Sequence, residues 1–140
     1  MEQRISVLTI GAYDLSAMRN FYEGILGWKP VVSNNDIVFY KMNGWLFSIG
    51  KRRDLAAFIG ISPEGTGFRS VTFGYNVSTE NEVKEIYDSL KRKEVKMLIE
   101  PTVPAFGGLF FYFADIEDNI IEVAYNAFIP LDEENNATDH

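Results

Sequence analysis

Apolar and polar residues alternate along the first part of the chain in two patterns, one typical of a strand and one typical of a helix. Residues 5–12 carry apolar side chains at every second position, which predicts a strand that is covered on one face. Asp14 is a residue type that caps helices, and Gly27 is a type that ends them. Between them an apolar stripe recurs at helical spacing, on Met18, Phe21, Tyr22 and Ile25. We therefore predict a strand followed by an amphipathic helix.

The second part of the chain repeats this pattern at a constant distance of 65 positions. Residues 71–77 match the first strand, Ser78 or Thr79 can cap the helix, and the apolar stripe recurs on Val83, Ile86, Tyr87 and Leu90. Three strand-like runs follow each helix, over residues 28–33, 36–42 and 45–50 and over residues 96–103, 109–114 and 120–125. We therefore predict an α+β fold of two βαβββ units with mixed sheets.

The length of 140 residues fits one domain of two halves rather than two independent domains. We predict this domain over residues 1–130, with one unit at 4–59 and the other at 68–126. A short linker, residues 60–67, joins them and contains Pro63 and three glycines. Residues 131–140 are acidic and polar, and they predict a disordered tail.

Strand alternation assigns side chains to the face that the helix covers or to the face that it leaves open. The open face then receives small and polar residues, among them Thr9 on the first strand and Asn76 on the fifth. Glu122 falls on the same face, because its neighbours Ile121 and Val123 belong to the covered one. We interpret the open face as the wall of a cavity, with Glu122 as its main chemical group.

Composition excludes several functions. A net charge of −7 disfavours nucleic acid and anionic membranes as partners. The chain has no cysteine, and its one histidine is the last residue, His140, so thiol chemistry, histidine triads and two-histidine metal sites cannot be built within it. No secretory signal or long apolar run is visible, and we expect a cytoplasmic protein.

Two segments resemble signatures of a known family. The run LTIGAYDLSAMRNFYEGILGW over residues 8–28 resembles the opening signature of the vicinal oxygen chelate superfamily, which includes glyoxalase I, the bleomycin resistance proteins and the extradiol dioxygenases. FADIEDNIIEVAYN over residues 113–126 is similar to its closing signature. The resemblance implies that the two sheets curl into an open barrel around a ligand, often in a homodimer.

The same resemblance implies four positions for metal ligands, and here they hold Val7, Phe47, Thr72 and Glu122. Valine, phenylalanine and threonine do not form a divalent-metal site with one carboxylate. We therefore expect no metal and no other cofactor.

Aromatic residues on the predicted inner strands favour a pocket for a hydrophobic or aromatic small molecule. The candidate ligand-binding residues are Val7, Thr9, Phe39, Trp45, Phe47, Thr72, Asn76, Phe106, Phe110, Tyr112 and Glu122. Each aromatic residue could equally be part of the core. Glu122 is either a site residue or a family relic exposed to water or paired with a cation.

Two functions remain open on the sequence alone. The first is a metal-free binding protein of the bleomycin resistance type, in which Glu122 favours a ligand with a cation or hydroxyl group. The alternative is a lyase or isomerase of the glyoxalase type, in which Glu122 is the catalytic general base. A third class, an interaction protein with a filled barrel, applies if the aromatic residues leave no cavity. We also predict a C2 homodimer with the cavities near its interface.

Overall fold

The structure is a computed structural model of the chain, and it describes residues 1–3, 5–69, 71–105 and 107–138. Candidate residue Phe106 and the single histidine, His140, lie outside the described residues. The chain divides into two compact units, Met1–Thr66 and Gly67–His140. No helix in the described ranges is long and apolar enough to span a membrane.

The first unit contains a four-stranded mixed sheet. Its elements in chain order are β1 (Val7–Ala12), α1 (Leu15–Arg19), a π-helical segment (Asn20–Ile25), β2 (Pro30–Ser33), β3 (Ile37–Lys41), β4 (Leu46–Lys51) and α2 (Arg52–Ile59). The strand order is β1-β4-β3-β2. β1 runs parallel to β4, and the other neighbours are antiparallel.

The second unit has the same strand arrangement without a counterpart of α2. It contains β5 (Phe73–Asn76), α3 (Glu80–Arg92), β6 (Lys96–Thr102), β7 (Leu109–Ala114) and β8 (Ile120–Tyr125). The strand order is β5-β8-β7-β6, with β5 parallel to β8. The predicted bounds of β7 and β8 are those of the structure, whereas β5 is shorter than predicted because its pairing with β8 starts at Phe73.

Both helix starts follow the sequence signals. Asp14 caps α1, since its carboxylate accepts a hydrogen bond from the amide of Ala17 at 2.9 Å. Thr79 caps α3 by accepting from the amide of Glu82 at 3.2 Å, and the Glu82 carboxylate accepts in return from the amide of Ser78 at 3.1 Å. This reciprocal capping satisfies amides that the first turn of a helix leaves unbonded.

The first predicted helix changes type halfway. After α1 the chain continues as the π-helical segment, in which the amide of Leu26 donates to the carbonyl of Phe21, five residues back. The chain then turns at Gly27, whose φ of +76° lies in the left-handed region. Met18, Phe21 and Tyr22 of the predicted stripe are buried.

An aromatic cluster forms the core of the first unit on the face of the sheet toward α1. The ring of Tyr22 lies 5.1 Å from that of Trp28 and 5.6 Å from that of Phe47, and Tyr40 packs against both. Phe47 is only 2% exposed. Its assignment to the open face and to the ligand-binding residues is therefore wrong, because its side chain fills the core on the helix side.

The second unit buries the stripe of α3 against its sheet. Val83, Tyr87 and Leu90 are buried, and the Tyr87 ring meets the Phe111 ring edge-on at 5.3 Å. Phe111 and Val123 supply the sheet side of this core. The face of the second sheet that α3 covers is thus the face that strand alternation on β8 predicts to be covered.

Helix α2 is an element that the sequence pattern did not reveal. It packs on the face of the first sheet opposite α1, where a Cβ atom on Gly11 would lie 3.0 Å from the Cα atom of Arg52 and one on Gly50 would lie 3.4 Å from Leu55. These two glycines, paired in the β1–β4 ladder, admit the helix. The interpretation that small residues on this face line a cavity is therefore wrong at this end of the first sheet.

Residues 131–138 contain a local turn built on Asp132. Its carboxylate accepts hydrogen bonds from the amides of Glu134 and Asn136, each at 2.9 Å. Leu131 and Ala137 form an isolated antiparallel bridge. The exposed turn holds the pKa of Asp132 below its usual value, because hydrogen bonds from Asn136 favour the ionised form.

Candidate functional site

Three residues line up across the open face of the second sheet. In the strand register Glu122 on β8 lies opposite Tyr112 on β7 and opposite Gly74 on β5. Glu122 and Tyr112 are half-buried, and Gly74 is exposed. The predicted orientation of Glu122 is confirmed by this pattern, since its neighbours Ile121 and Val123 are buried on the other face.

The turn between β7 and β8 fixes the strand that carries Glu122. Asp115 is 2% exposed, and its carboxylate accepts from the amides of Glu117 and Asn119 at 2.9 and 3.0 Å. The side-chain amide of Asn119 donates to the same carboxylate at 2.8 Å. Asp118 adopts the left-handed conformation that closes the turn. A buried carboxylate with three hydrogen-bond donors, five residues before β8 begins, thus orders the approach to Glu122.

Tyr112 and Glu122 act on each other. Burial raises the pKa of Tyr112, and a hydrogen bond to Glu122 and the negative charge of that carboxylate raise it further. The phenol therefore stays neutral and can donate to the carboxylate. The ring of Phe110 meets the Tyr112 ring edge-on at 5.6 Å, which places an apolar group beside this polar pair.

We expect Glu122→Gln to lower the pKa of Tyr112. The substitution removes the negative charge that opposes formation of the phenolate, while the burial of Tyr112 is unchanged. Carbon NMR of the tyrosine ring carbons during a titration above pH 9 would follow this ionisation. Tyr40 serves as the internal control, because its pKa is raised by burial and by Glu23 in the first unit. An unaltered Tyr112 titration in the variant would contradict the contact.

The open face is accessible at β5. A Cβ atom on Gly74 would meet no atom within 4 Å. Asn76, the last residue of β5, is half-buried opposite Ala124, and Thr72 is exposed just before β5 begins. The structure therefore brings Asn76, Phe110, Tyr112 and Glu122 to one face of the second sheet, with free space in front of Gly74.

The corresponding face of the first unit has different chemistry. The hydroxyl oxygens of Thr9 and Ser48 lie 2.5 Å apart, and Phe39 is paired with Ser48 in the ladder. Thr9 pairs with Ser48 as Gly74 pairs with Glu122, so Ser48 rather than Phe47 is the counterpart of Glu122. The counterpart of Glu122 thus lies one residue later on β4 than the position that the resemblance implies. The difference shows in the pairing of Thr9 with Ser48 between β1 and β4.

Two further candidates, Val7 and Trp45, lie where strands of the first unit begin. Val7 is the first residue of β1 and is 44% exposed. Trp45 lies in the turn before β4, where its carbonyl accepts from the amide of Met42 at 2.8 Å.

The donor groups do not fit a divalent metal. With Ser48 in place of Phe47, the four positions implied for ligands carry one carboxylate, two hydroxyls and one valine. Zinc sites use histidine, cysteine or carboxylate ligands, and magnesium and calcium sites use several oxygen ligands with carboxylates among them. Within the ranges that the structure describes, no three His, Cys, Asp or Glu side chains come together as ligands for a metal ion.

A concave region that the sequence did not indicate lies beside α1. It has a volume of about 340 Å³, and its lining comprises Leu15, Ser16, Arg19, Asn20, Glu23, Asn34 and Asn35. Arg19 Nε donates to Glu23 Oε1 at 2.9 Å, and the buried Tyr40 hydroxyl donates to the same oxygen at 3.2 Å. Its polar groups thus bond to one another, which favours a structural role for this groove.

Comparison with known proteins gives consistent matches. The model of the Glyoxalase/Bleomycin resistance protein/Dioxygenase superfamily matches residues 4–123. A glyoxalase-related enzyme from Fulvimarina pelagi is 31% identical, with a TM-score of 0.88 and 98% of each chain covered. No curated protein matches the chain at a significant level.

Two further solved structures support the fold alone. A glyoxalase/bleomycin resistance protein/dioxygenase from Nocardioides is 17% identical, with a TM-score of 0.79 and coverage of 89% of this chain and 84% of that one. Lactoylglutathione lyase from Agrobacterium tumefaciens is also 17% identical, with a TM-score of 0.70 and coverage of 89% and 95%. The predicted α+β fold of two βαβββ units of the glyoxalase-like type is confirmed.

Proposed function

Because the chain belongs to the Glyoxalase/Bleomycin resistance protein/Dioxygenase superfamily, we propose that it binds a small hydrophobic or aromatic molecule without a metal. The binding surface is the open face of the second sheet. Phe110 supplies an apolar contact there, and the Tyr112–Glu122 pair supplies a polar one. A ligand with an aromatic or aliphatic body and one cationic or hydroxyl group matches this surface.

One observation carries the proposal: a half-buried carboxylate lies across from a glycine that has open space in front of it. Glu122 and Gly74 are paired in the ladder, and no atom would lie within 4 Å of a Cβ atom on Gly74. A carboxylate held partly away from water is a strong acceptor when a ligand replaces its remaining water. The glycine lets that ligand approach the sheet backbone.

The proposal that binding needs no metal follows from the donor groups. Of the four ligand positions that the resemblance implies, Val7, Ser48 and Thr72 offer at most two neutral hydroxyls and Glu122 offers the one carboxylate, which is a weak set for any divalent cation. Elemental analysis of protein purified without chelators tests this point. A stoichiometric content of zinc, nickel, iron or manganese would overturn it.

We expect Gly74→Leu to abolish stabilisation by a ligand. A panel of aromatic amines, hydrophobic cations and phenols is screened by thermal unfolding. A compound at about 100 times its Kd adds about 2.7 kcal/mol to stability, enough to raise Tm by several degrees. The leucine fills the space in front of Glu122, so the same compound then leaves Tm unchanged.

Tyr75→Leu is the matched control for this experiment. Tyr75 is the next residue of β5, is 55% exposed and points to the other face by strand alternation. The control is expected to keep the full ligand-induced rise in Tm. A rise that survives Gly74→Leu, or a panel that never stabilises the wild-type protein, would count against the proposed surface.

A second function is favoured by the same carboxylate. We propose as the alternative a lyase or isomerase in which Glu122 takes a proton from a carbon next to a carbonyl group and returns it to a neighbouring atom. The relative of 31% identity is described as a glyoxalase-related enzyme. Incorporation of deuterium from heavy water into a bound ketone or aldehyde, lost in Glu122→Gln with binding retained, would distinguish an enzyme from a binding protein.

The cytoplasmic location and the homodimer stay predictions. The ligand experiments do not depend on either, because every residue in them belongs to the second unit.

A further inference from the structure

The second unit leaves open an end of its sheet that α2 covers in the first unit. In the first sheet α2 packs on Gly11 and Gly50, which are paired in the β1–β4 ladder. The corresponding ladder pair of the second sheet, two positions beyond the pair of Glu122, is Asn76 with Ala124. Within the described residues, the second unit has no counterpart of α2. A polar residue thus replaces glycine where no helix of its own unit covers it.

Asn76 is a half-buried residue whose side-chain amide makes no hydrogen bond within the part of the chain that the structure describes. Strand alternation places it on the same face as Gly74 and Glu122. An amide side chain has two N–H donors and one carbonyl acceptor. A polar group that loses its water without gaining a partner costs free energy, so a ligand that covers Asn76 must replace these hydrogen bonds.

The distance between Asn76 and Glu122 sets the length of such a ligand. Asn76 lies two positions further along β5 than the residue paired with Glu122. A strand spacing of about 4.8 Å and a rise of about 3.3 Å per residue put the two Cα atoms about 8 Å apart. The small residues Gly74 and Ala124 lie between them, and Phe110 is paired with Ala124 on the next strand. A single planar ring with one polar group at each end fits this span.

Charge and hydrogen bonding select the two polar groups. The second unit has six Lys and Arg against fourteen Asp and Glu. This acidic excess favours an ammonium group at Glu122. It disfavours a carboxylate at Asn76, and a carboxylate also has no proton to donate to the Asn76 carbonyl. A neutral carboxamide donates and accepts at once, so it can pair with the Asn76 amide through two hydrogen bonds.

We propose that Asn76 determines the specificity of this surface, and that its ligands carry an ammonium group and a carboxamide at opposite ends of one planar apolar ring. The ammonium group binds the Glu122 carboxylate, the carboxamide pairs with Asn76, and the ring lies over Ala124 beside Phe110. This inference rests on the proposed function, to which it adds the second polar group of the ligand and the residue that selects it.

Two compounds of the same shape test the selection. In para-(aminomethyl)benzamide the carboxamide can pair with Asn76, and in para-isopropylbenzylamine an isopropyl group of similar size takes its place. Isothermal titration calorimetry on the full chain gives both dissociation constants. We expect the wild-type protein to bind the benzamide at least tenfold more tightly, because the isopropyl compound covers the Asn76 amide without replacing its hydrogen bonds.

Asn76→Leu is the first variant. Leucine is close to asparagine in size and has no polar atom, so the variant is expected to lose the tenfold preference and to bind the isopropyl compound at least as tightly as the benzamide. Tyr75→Leu is the matched control, because Tyr75 precedes Asn76 on β5 and points to the other face. The control should keep the preference of the wild type.

Asn76→Asp tests the same position by a gain of binding, which a misfolded variant would not show. Aspartate keeps the size of asparagine and adds a second carboxylate, about 8 Å from that of Glu122. We expect this variant to bind para-xylylenediamine, which has an ammonium group at each end, at least tenfold more tightly than the wild type does. Its affinity for the benzamide should fall, because aspartate cannot donate to the carboxamide carbonyl.

The outcomes separate this inference from the proposed function. Loss of the preference in Asn76→Leu together with the gain in Asn76→Asp supports the inference. Equal wild-type affinities for the benzamide and the isopropyl compound, both lost in Glu122→Gln, overturn it and leave the proposed surface in place. A preference that survives Asn76→Leu overturns it as well. Binding of neither compound to the wild type also overturns it, and the wider panel of the thermal screen then decides the proposed function alone.

Discussion

Replacing Phe47 by alanine is expected to lower the free energy of unfolding by about 3–5 kcal/mol. Phe47 is 2% exposed and its ring contacts those of Tyr22, Trp28 and Tyr40. Truncation removes this contact area and leaves a cavity between rings that cannot close without moving β4. Urea unfolding, followed by circular dichroism, measures the change.

Phe39→Ala is the matched control for this prediction. Phe39 belongs to the neighbouring strand, is half-buried and lies on the other face of the same sheet, opposite Ser48. We expect this variant to lose about 1–2 kcal/mol of unfolding free energy, since the half-buried Phe39 buries less apolar surface than Phe47 does. Equal losses in the two variants would contradict the assignment of Phe47 to the core.

Gly108→Ala is expected to cost about 3 kcal/mol or more, and this is the second large effect. Gly108 has a φ of +86°, and a Cβ atom there would overlap the carbonyl oxygen of Tyr125. The left-handed conformation is unfavourable for alanine, and the overlap adds to it because both partners are backbone. Relief requires β7 to separate from β8 where Leu109 pairs with Tyr125.

Gly107→Ala separates these two causes. Gly107 has nearly the same φ, +88°, but a Cβ atom there would meet no atom within 4 Å. It is expected to cost about 1 kcal/mol, which is the conformational part alone. Thermal unfolding of both variants gives the difference. Similar Tm values would mean that β7 and β8 adjust to the added methyl group without loss.

The sequence predicted most of the second unit because local signals agree there. A continuous run of apolar and aromatic residues marks β7, a strong turn follows it, and Glu122 lies between the apolar Ile121 and Val123 on β8, so the bounds of both strands and the face of Glu122 follow directly. Thr79 and Glu82 form a capping pattern that is visible in the sequence. Strand partners and registers also agree with the duplication, since both units pair their first and last strands in parallel.

The larger errors lie in the first unit. One concerns the register of β4 against β1, which are far apart in the chain, and the other concerns the short helix α2. The resemblance implied Phe47 as the position in the first unit that corresponds to Glu122, whereas the ladder pairs Ser48 with Thr9. One residue of slip exchanges the two faces of a strand, so Phe47 was assigned to the wrong one. α2 was missed because it is short and only Leu55 and Ala56 of its apolar residues pack toward the sheet, while Phe58 stays exposed.

Helix α2 also affects which substitutions the first sheet accepts on the face that it covers. A Cβ atom on Gly50 would lie 3.4 Å from the Leu55 side chain, so the effect of a residue larger than alanine at position 50 depends on the side chain at position 55. Substitutions on this face of the first sheet are therefore coupled between β4 and α2. A Cβ atom on Gly74 would meet no atom within 4 Å, so a substitution at the equivalent face of the second sheet is free of this coupling.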